Sequence, residues 1–356
     1  MLNKPIYING AAAISIQEPL NETVIYNPLN YSQVHVRCID PVFKEHLNPI
    51  AARRMSLIIK RAIITARYAV KMAEIEKPDA IITGTGLGCV QDTEKFLEAM
   101  IRNKEKFLQP AFFIQSTHNT ISSQIAIDLK CKAYNNTYIH RGVSFENALI
   151  DALLQLNKPK IDSALVTGND EMTPAYFKLL QRLNYWKNSV DSSLNIVDSE
   201  NSIGSFAGEG SVSLVLSKNK IKNSFATIND IKLHYNPNGI DEKFIVDFLL
   251  KNGLNTDDVS LFITGANGDF NNDLVYKKLD NLFDNNRIGH YKNICGEFYT
   301  APAFGLYAAA ICLKNNTVPK TMMLSNNNLN NINNILFYNH FQNRDHSLIL
   351  LSKCIN

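Results

Sequence analysis

Short apolar runs that stop at a glycine recur along this chain, and helical spacing follows each of them. Residues 80–83 lead into Gly84-Thr85-Gly86-Leu87-Gly88, residues 163–167 into Gly168-Asn169, and residues 261–264 into Gly265. Runs this short suit strands buried on both faces rather than core helices. Phe96, Leu97 and Met100 then share one face of a helix over 92–103, and Ile121, Ile125 and Leu129 one face of a helix over 120–129. A β-prone segment at 137–140 precedes Ser144, a good N-cap for a helix over 145–156. Strands are expected at 209–216, 225–234 and 346–352, and helices at 241–251 and 274–283. The stretch 303–314 is apolar and rich in small residues, which suits a tightly buried helix, and the Asn-rich stretch 325–334 reads as a surface loop. This alternation predicts an α/β fold with buried sheets.

The 356 residues form one large domain or two fused halves, and a chain of this size buries enough surface to need neither disulfides nor metal. No linker-like stretch separates the halves, so they are expected to pack as one body. A net charge of +3 offers no argument for nucleic acid or an anionic membrane. The six cysteines show no C-x-x-C spacing, so neither a zinc site nor a redox dithiol is expected. No apolar stretch approaches the roughly 20 residues that span a bilayer. MLNKPIYING has no apolar core behind a basic segment, which argues against a signal peptide. The expectation is a cytoplasmic protein without membrane insertion.

Three motifs invite chemistry. Gly84-x-Gly86-x-Gly88 is one residue short of the dinucleotide fingerprint and lacks the acidic residue that should follow, so a plain strand-to-helix turn accounts for it better. Ser144 with His140 or His118 could make an acyl-enzyme, but spacing identifies no third orienting group. Ser205-Phe206-Ala207-Gly208-Glu209-Gly210-Ser211-Val212 reads as a tight turn, with glycine tolerating positive φ, that feeds a strand.

That last segment resembles the Gly-Glu-Gly-Ala turn before a core strand in β-ketoacyl synthases. Other landmarks are similar to that family in the same order: the glycine-rich turn at 83–88, the approach to the nucleophile helix at 110–127, the strand at 161–168, and the loop with Pro319 at 316–321. The resemblance runs from about residue 70 to the end. It implies a thiolase-like α/β fold of two pseudo-repeated halves, 1–217 and 218–356, in five αβαβα layers.

The resemblance breaks at the chemistry. Arg141 stands where the family keeps its nucleophilic Cys, Gly265 where it opens its first His motif, and Glu297 where it keeps its second His. The glycine-rich oxyanion loop becomes His340-Phe341-Gln342-Asn343, in which Phe341 keeps the gating aromatic. Claisen condensation needs a thiolate, two imidazoles and an oxyanion hole. The resemblance therefore implies a chain length factor-like subunit with no catalytic residues, no metal and no cofactor. Such a subunit pairs with an active ketosynthase and meets acyl carrier protein mainly through it. Phe112, Phe113, Thr117 and His118, with Phe341, match the stretch that lines the acyl tunnel in related subunits.

Two other readings stay open. One is a divergent acyltransferase or hydrolase using Ser144 or His118. The other is a homodimeric scaffold, self-paired by antiparallel strands near 137–140. The replaced site also carries two alternatives. Arg141 and Glu297 form an ion pair, joined by Asp269, since a buried guanidinium needs a carboxylate; or Arg141 turns to the surface or a partner.

Overall fold

The computed structural model describes residues 5–106, 108–198 and 202–354. Ten strands form one sheet: β1 (Ile6–Ile14), β2 (Ala80–Gly84), β3 (Tyr134–Tyr138), β4 (Ser163–Asp170), β5 (Gly210–Ser217), β6 (Ala226–Tyr235), β7 (Leu261–Thr264), β8 (Ile288–His290), β9 (Asn334–Phe341) and β10 (Asp345–Ser352). Their order is β3-β2-β4-β5-β1-β6-β10-β9-β7-β8. Outward from the β1–β6 junction, the same order and the same parallel or antiparallel sense appear in each direction. β1 to β5 thus correspond one by one to β6 to β10.

The main helices are α1 (Leu57–Met72), α2 (Val90–Arg102), α3 (Pro110–Ser116), α4 (Thr120–Asp128), α5 (Ser144–Leu156), α6 (Pro174–Gln181), α7 (Glu242–Lys251), α8 (Phe270–Lys277) and α9 (Ala301–Asn315). Strand alternation assigns each face to a layer. In the first half, Ile82, Val166 and Leu214 face a central core with α5 and α9, while Ile81, Leu165 and Val215 face α1. In the second half, Ile263, Ile335 and Ile349 face the same central core, while Phe262, Leu336 and Leu348 face α7 and α8. The layers are therefore αβαβα, as expected. Among the described residues no helix is long and apolar enough to cross a membrane.

Several boundaries differ from the sequence reading. β3 begins three residues earlier than expected, and α8 four residues earlier, because the Asp269 side chain accepts the Asn272 N–H at 3.0 Å and caps it. Ser144 opens α5 but does not cap it; its Oγ serves the preceding turn instead. The Gly-Glu-Gly segment reads as a tight turn because glycine tolerates positive φ, yet neither Gly208 nor Gly210 adopts it. Gly208 is small because the Cys295 carbonyl would lie 2.0 Å from any Cβ there.

Glu209 between those glycines is buried, and its carboxylate accepts the Cys38 and Met172 N–H groups at 2.9 and 3.0 Å. The buried Arg61 guanidinium lies 3.1 Å from it and also holds Asp40 at 2.6 and 3.0 Å. Removing one member of a buried pair strands the other charge. Arg61→Met is expected to cost about 3–5 kcal/mol, read as a lowered urea midpoint; an unchanged midpoint would contradict this account of Glu209.

Candidate active-site cleft

Beyond β3 the chain turns through residues Arg141–Val143 into α5. Arg141 sits at φ +47°, a left-handed conformation that an L-residue holds only at a cost. The turn is fastened by Ser144: its Oγ accepts the His140 N–H at 2.7 Å and donates to the Arg141 carbonyl at 2.8 Å. The one proton of this buried hydroxyl thus goes to a backbone carbonyl and not to a base. Gly142 lies flush under the Phe341 ring, which would be 2.3 Å from a Cβ.

The equivalent junction of the second repeat, between β8 and α9, carries Lys292 and Glu297. The Lys292 ammonium lies 2.8 Å from Glu297 Oε2, and Asn267 Nδ2 donates to the same oxygen at 2.6 Å. The Glu297 backbone is clamped by the Gly-Glu-Gly segment, donating to the Phe206 carbonyl at 2.9 Å and accepting the Gly208 N–H at 3.2 Å. The turn with the most specific sequence signature thus holds Glu297 in place.

The expected Arg141–Glu297 pair does not form. Arg141 is exposed and makes no ion pair among the described residues. Lys292, only 4% exposed, reaches Glu297 from inside and takes its charge. Asp269 does not join them either, since its oxygens accept the Asn272 and Gly204 N–H groups. Gly265, read as the first imidazole position, is walled in: Asn339 and Tyr276 would each lie 2.5 Å from a Cβ. The side chain that meets Glu297 from this segment is Asn267, two residues on, and the carboxylate of Asp273 accepts its N–H at 2.9 Å.

Sequence reasoning missed Lys292 and Asn267. A signal for the first was present, the one lysine or arginine of residues 288–298, placed five residues before a glutamate.

Phe341 lines the cleft, its ring 5.8 Å from that of Tyr299, whose hydroxyl meets Tyr176 Oη at 2.8 Å. Gln342 and Asn343 keep φ +54° and +48°, so the loop holds a glycine-like conformation without glycine. Phe112, Phe113, Thr117 and His118 lie elsewhere, on α3 and the turn after it, and none of them lines this cleft. Phe113 is 56% exposed and Ile114 61%.

The cleft encloses about 610 Å³ and is walled by rings, among them Tyr176, Tyr185, Trp186, Phe298 and Tyr299. Burial pushes the His340 imidazole down to about 3, so it stays neutral. Burial also drives the Cys295 thiol well above its usual range, so it offers no thiolate. Among the described residues no His, Cys, Asp and Glu cluster could hold a metal ion. The cleft is large enough for a small ligand, and among the described residues it presents no nucleophile with an adjacent base.

Beneath the cleft, Glu146 of α5 is fully buried, accepting Asn339 Nδ2 and Ser347 Oγ at 3.1 Å each on Oε1 and nothing on Oε2. Desolvation pushes its carboxyl up to about 7. The native state therefore binds this proton more tightly than the unfolded chain, and the stability it supplies below about pH 4.5 is lost as pH rises through 7. Glu146→Gln keeps the acceptor and is expected to raise stability at pH 8 by roughly 2–3 kcal/mol while changing little at pH 5; equal melting shifts at both pH values would contradict it. Arg141→Gly relieves the left-handed backbone without breaking an ion pair, and is expected to stabilise by about 1 kcal/mol. A loss of stability on calorimetry would mean the guanidinium has a partner.

Residues 31–206 match the family described as beta-ketoacyl synthase, N-terminal domain. A stretch of 134 residues is 25% identical to 3-oxoacyl-[acyl-carrier-protein] synthase 2 of Staphylococcus aureus, covering 36% of this chain and 32% of that enzyme. The match thus spans about a third of that curated relative's length. The ishigamide ketosynthase/chain length factor superposes with a TM-score of 0.82 at 15% identity, covering 99% of this chain and 100% of that one. A ketosynthase in complex with its chain length factor from Xenorhabdus doucetiae gives 0.79 at 12% identity, with 99% and 98% covered. Likeness at these identities speaks for the fold, and it joins the family match over the first half. Residues 31–206 are thus similar to the N-terminal domain of β-ketoacyl synthases, and the whole described chain, with its repeated strand order, has the fold of the ketosynthase structures.

Proposed function

We propose that this protein is a non-catalytic, chain length factor-like subunit that pairs with an active β-ketoacyl synthase. The pair would act in the cytoplasm, in polyketide, aryl-polyene or fatty-acid-type chain building, with acyl carrier protein docking mainly on the partner. The observation that carries this reading is the elbow: its strained φ of +47° is kept while its side chain is an exposed guanidinium. A thiolate is the nucleophile in cysteine acyl transfer, and Arg141 cannot become one. Two of the structures that share the fold hold a ketosynthase together with a chain length factor.

A partner surface fits the same side of the molecule. β3 is an edge strand, so one row of its backbone groups is open to pairing. Ile139 beside it is 42% exposed, and Phe113 and Ile114 on α3 are more exposed still. Large apolar groups gathered near an unpaired edge mark an interaction site. In this reading Phe112, Phe113, Thr117 and His118 bound the acyl tunnel only once the partner is seated, limiting chain growth by exclusion. The hydrolase alternative has lost Ser144 to its turn, and His118 is exposed on the surface.

Co-expression with a ketosynthase that carries an intact Cys-His-His set is expected to give a stable heterodimer. Phe113→Ala or Phe112→Ala in that complex should then lengthen the acyl product by mass spectrometry. An unchanged product distribution for both variants would reject the tunnel role, and a monodisperse homodimer that ignores the ketosynthase would reject the pairing.

A further inference from the structure

The cleft of this chain has a charge balance that the family's anionic thioester substrates do not match. Four carboxylates line it, those of Asp170, Glu171, Asp269 and Glu297, against the single ammonium of Lys292. Two of the four are spent within the protein. Asp170 accepts the Gly86 and Thr300 N–H groups at 2.8 and 2.7 Å, and Asp269 is filled as described above. Lys292 is spent as well, since it is 4% exposed and turned onto Glu297 Oε2.

What remains open to a ligand is acceptor capacity. Glu297, 24% exposed, has no hydrogen bond on Oε1 among the described residues. Glu171 is only 7% exposed; its Oε1 accepts the Gln91 N–H at 2.9 Å and its Oε2 accepts nothing among the described residues. Aromatic side chains line the same cleft, and their faces attract cations through their quadrupoles. At the rim, Leu183 and Ile203 are 67% and 59% exposed, so the mouth is apolar.

We propose that this cleft is a binding site for a small cationic amphiphile, with an ammonium group seated between Glu297, Glu171 and the rings of Tyr176, Trp186 and Tyr299, and an apolar tail leaving over Leu183 and Ile203. An anionic acyl thioester would meet the open oxygens of Glu297, whose other oxygen holds Lys292, and of Glu171, whose carboxyl burial pushes up to about 7 and a neighbouring cation would help to ionise, and a neutral alcohol would leave the cation–π attraction unused. The inference does not rest on pairing with a ketosynthase, because every group named belongs to this chain.

Trp186 lines the cleft and is the only tryptophan in the chain, so its fluorescence reports on occupancy. Purified protein is titrated with dodecylamine, dodecanol and dodecanoate below their micellar concentrations, with calorimetry in place of fluorescence if a partner co-purifies. Dodecylamine is expected to bind about 10-fold or more tighter than either of the others, a difference of about 1.4 kcal/mol. Glu297→Gln should bring the amine close to the alcohol without weakening the alcohol. Dodecanoate binding as well as the amine, or no saturable binding of the amine, would overturn the proposal on wild-type protein alone. An amine preference that survives in both Glu297→Gln and Glu171→Gln would equally overturn it.

Discussion

Every residue of α9 from 301 to 313 is buried, so this helix has no face to offer water. A helix that is apolar all round must be covered on all sides, and here the two halves of the sheet close over it together with α5. Close contacts tighten the layer: Ala303 Cβ would lie 2.6 Å from a Cβ at Gly168, and the Phe337 ring 2.5 Å from one at Gly305. The five layers follow from this burial. So does the site: the β8–α9 junction lines the cleft, and the β3–α5 junction lies against it through Gly142 under the Phe341 ring. Arg141 and Glu297 occupy those junctions.

The turns around the cleft are held in unusual conformations, and among the described residues the cleft presents no thiolate. The left-handed Arg141, the Gly142–Phe341 contact and the left-handed Gln342 and Asn343 preserve the turns. A thiolate at the start of α5 would be favoured by the positive end of the helix, whereas a guanidinium is not, and Arg141 points outward. The carboxylate at the second junction is held by an ammonium and an amide instead. Lys292 neutralises Glu297 locally, which lets both sit near the central core without a guanidinium from across the cleft.

Much of the fold was legible because strands buried on both faces leave a plain mark. The run at 261–264 coincides with β7, and 163–167 and 80–83 fall inside β4 and β2. The earliest elements were not recognised. β1 carries Gly10 amid alanines, since Ala69 O would lie 1.9 Å from a Cβ there, and this weakens its strand signature. α1 is buried on so many sides, from Ile58 to Val70, that its period is blurred. β9 was hidden behind the Asn-rich loop that precedes it. At the site, chain order pointed to Arg141, Glu297 and Phe341, but not to which charges meet. Lys292 and Asn267 enter only through the turn of β8 into α9 and the capped start of α8, and such contacts are set by tertiary packing rather than by spacing.

The central claim is that this polypeptide builds no carbon–carbon bond by itself. Its most direct test is carbon dioxide release from radiolabelled malonyl-acyl carrier protein, in the presence of an acyl-primed carrier and this protein alone. No release above the protein-free rate is predicted; release with accumulation of a β-ketoacyl product would contradict the account.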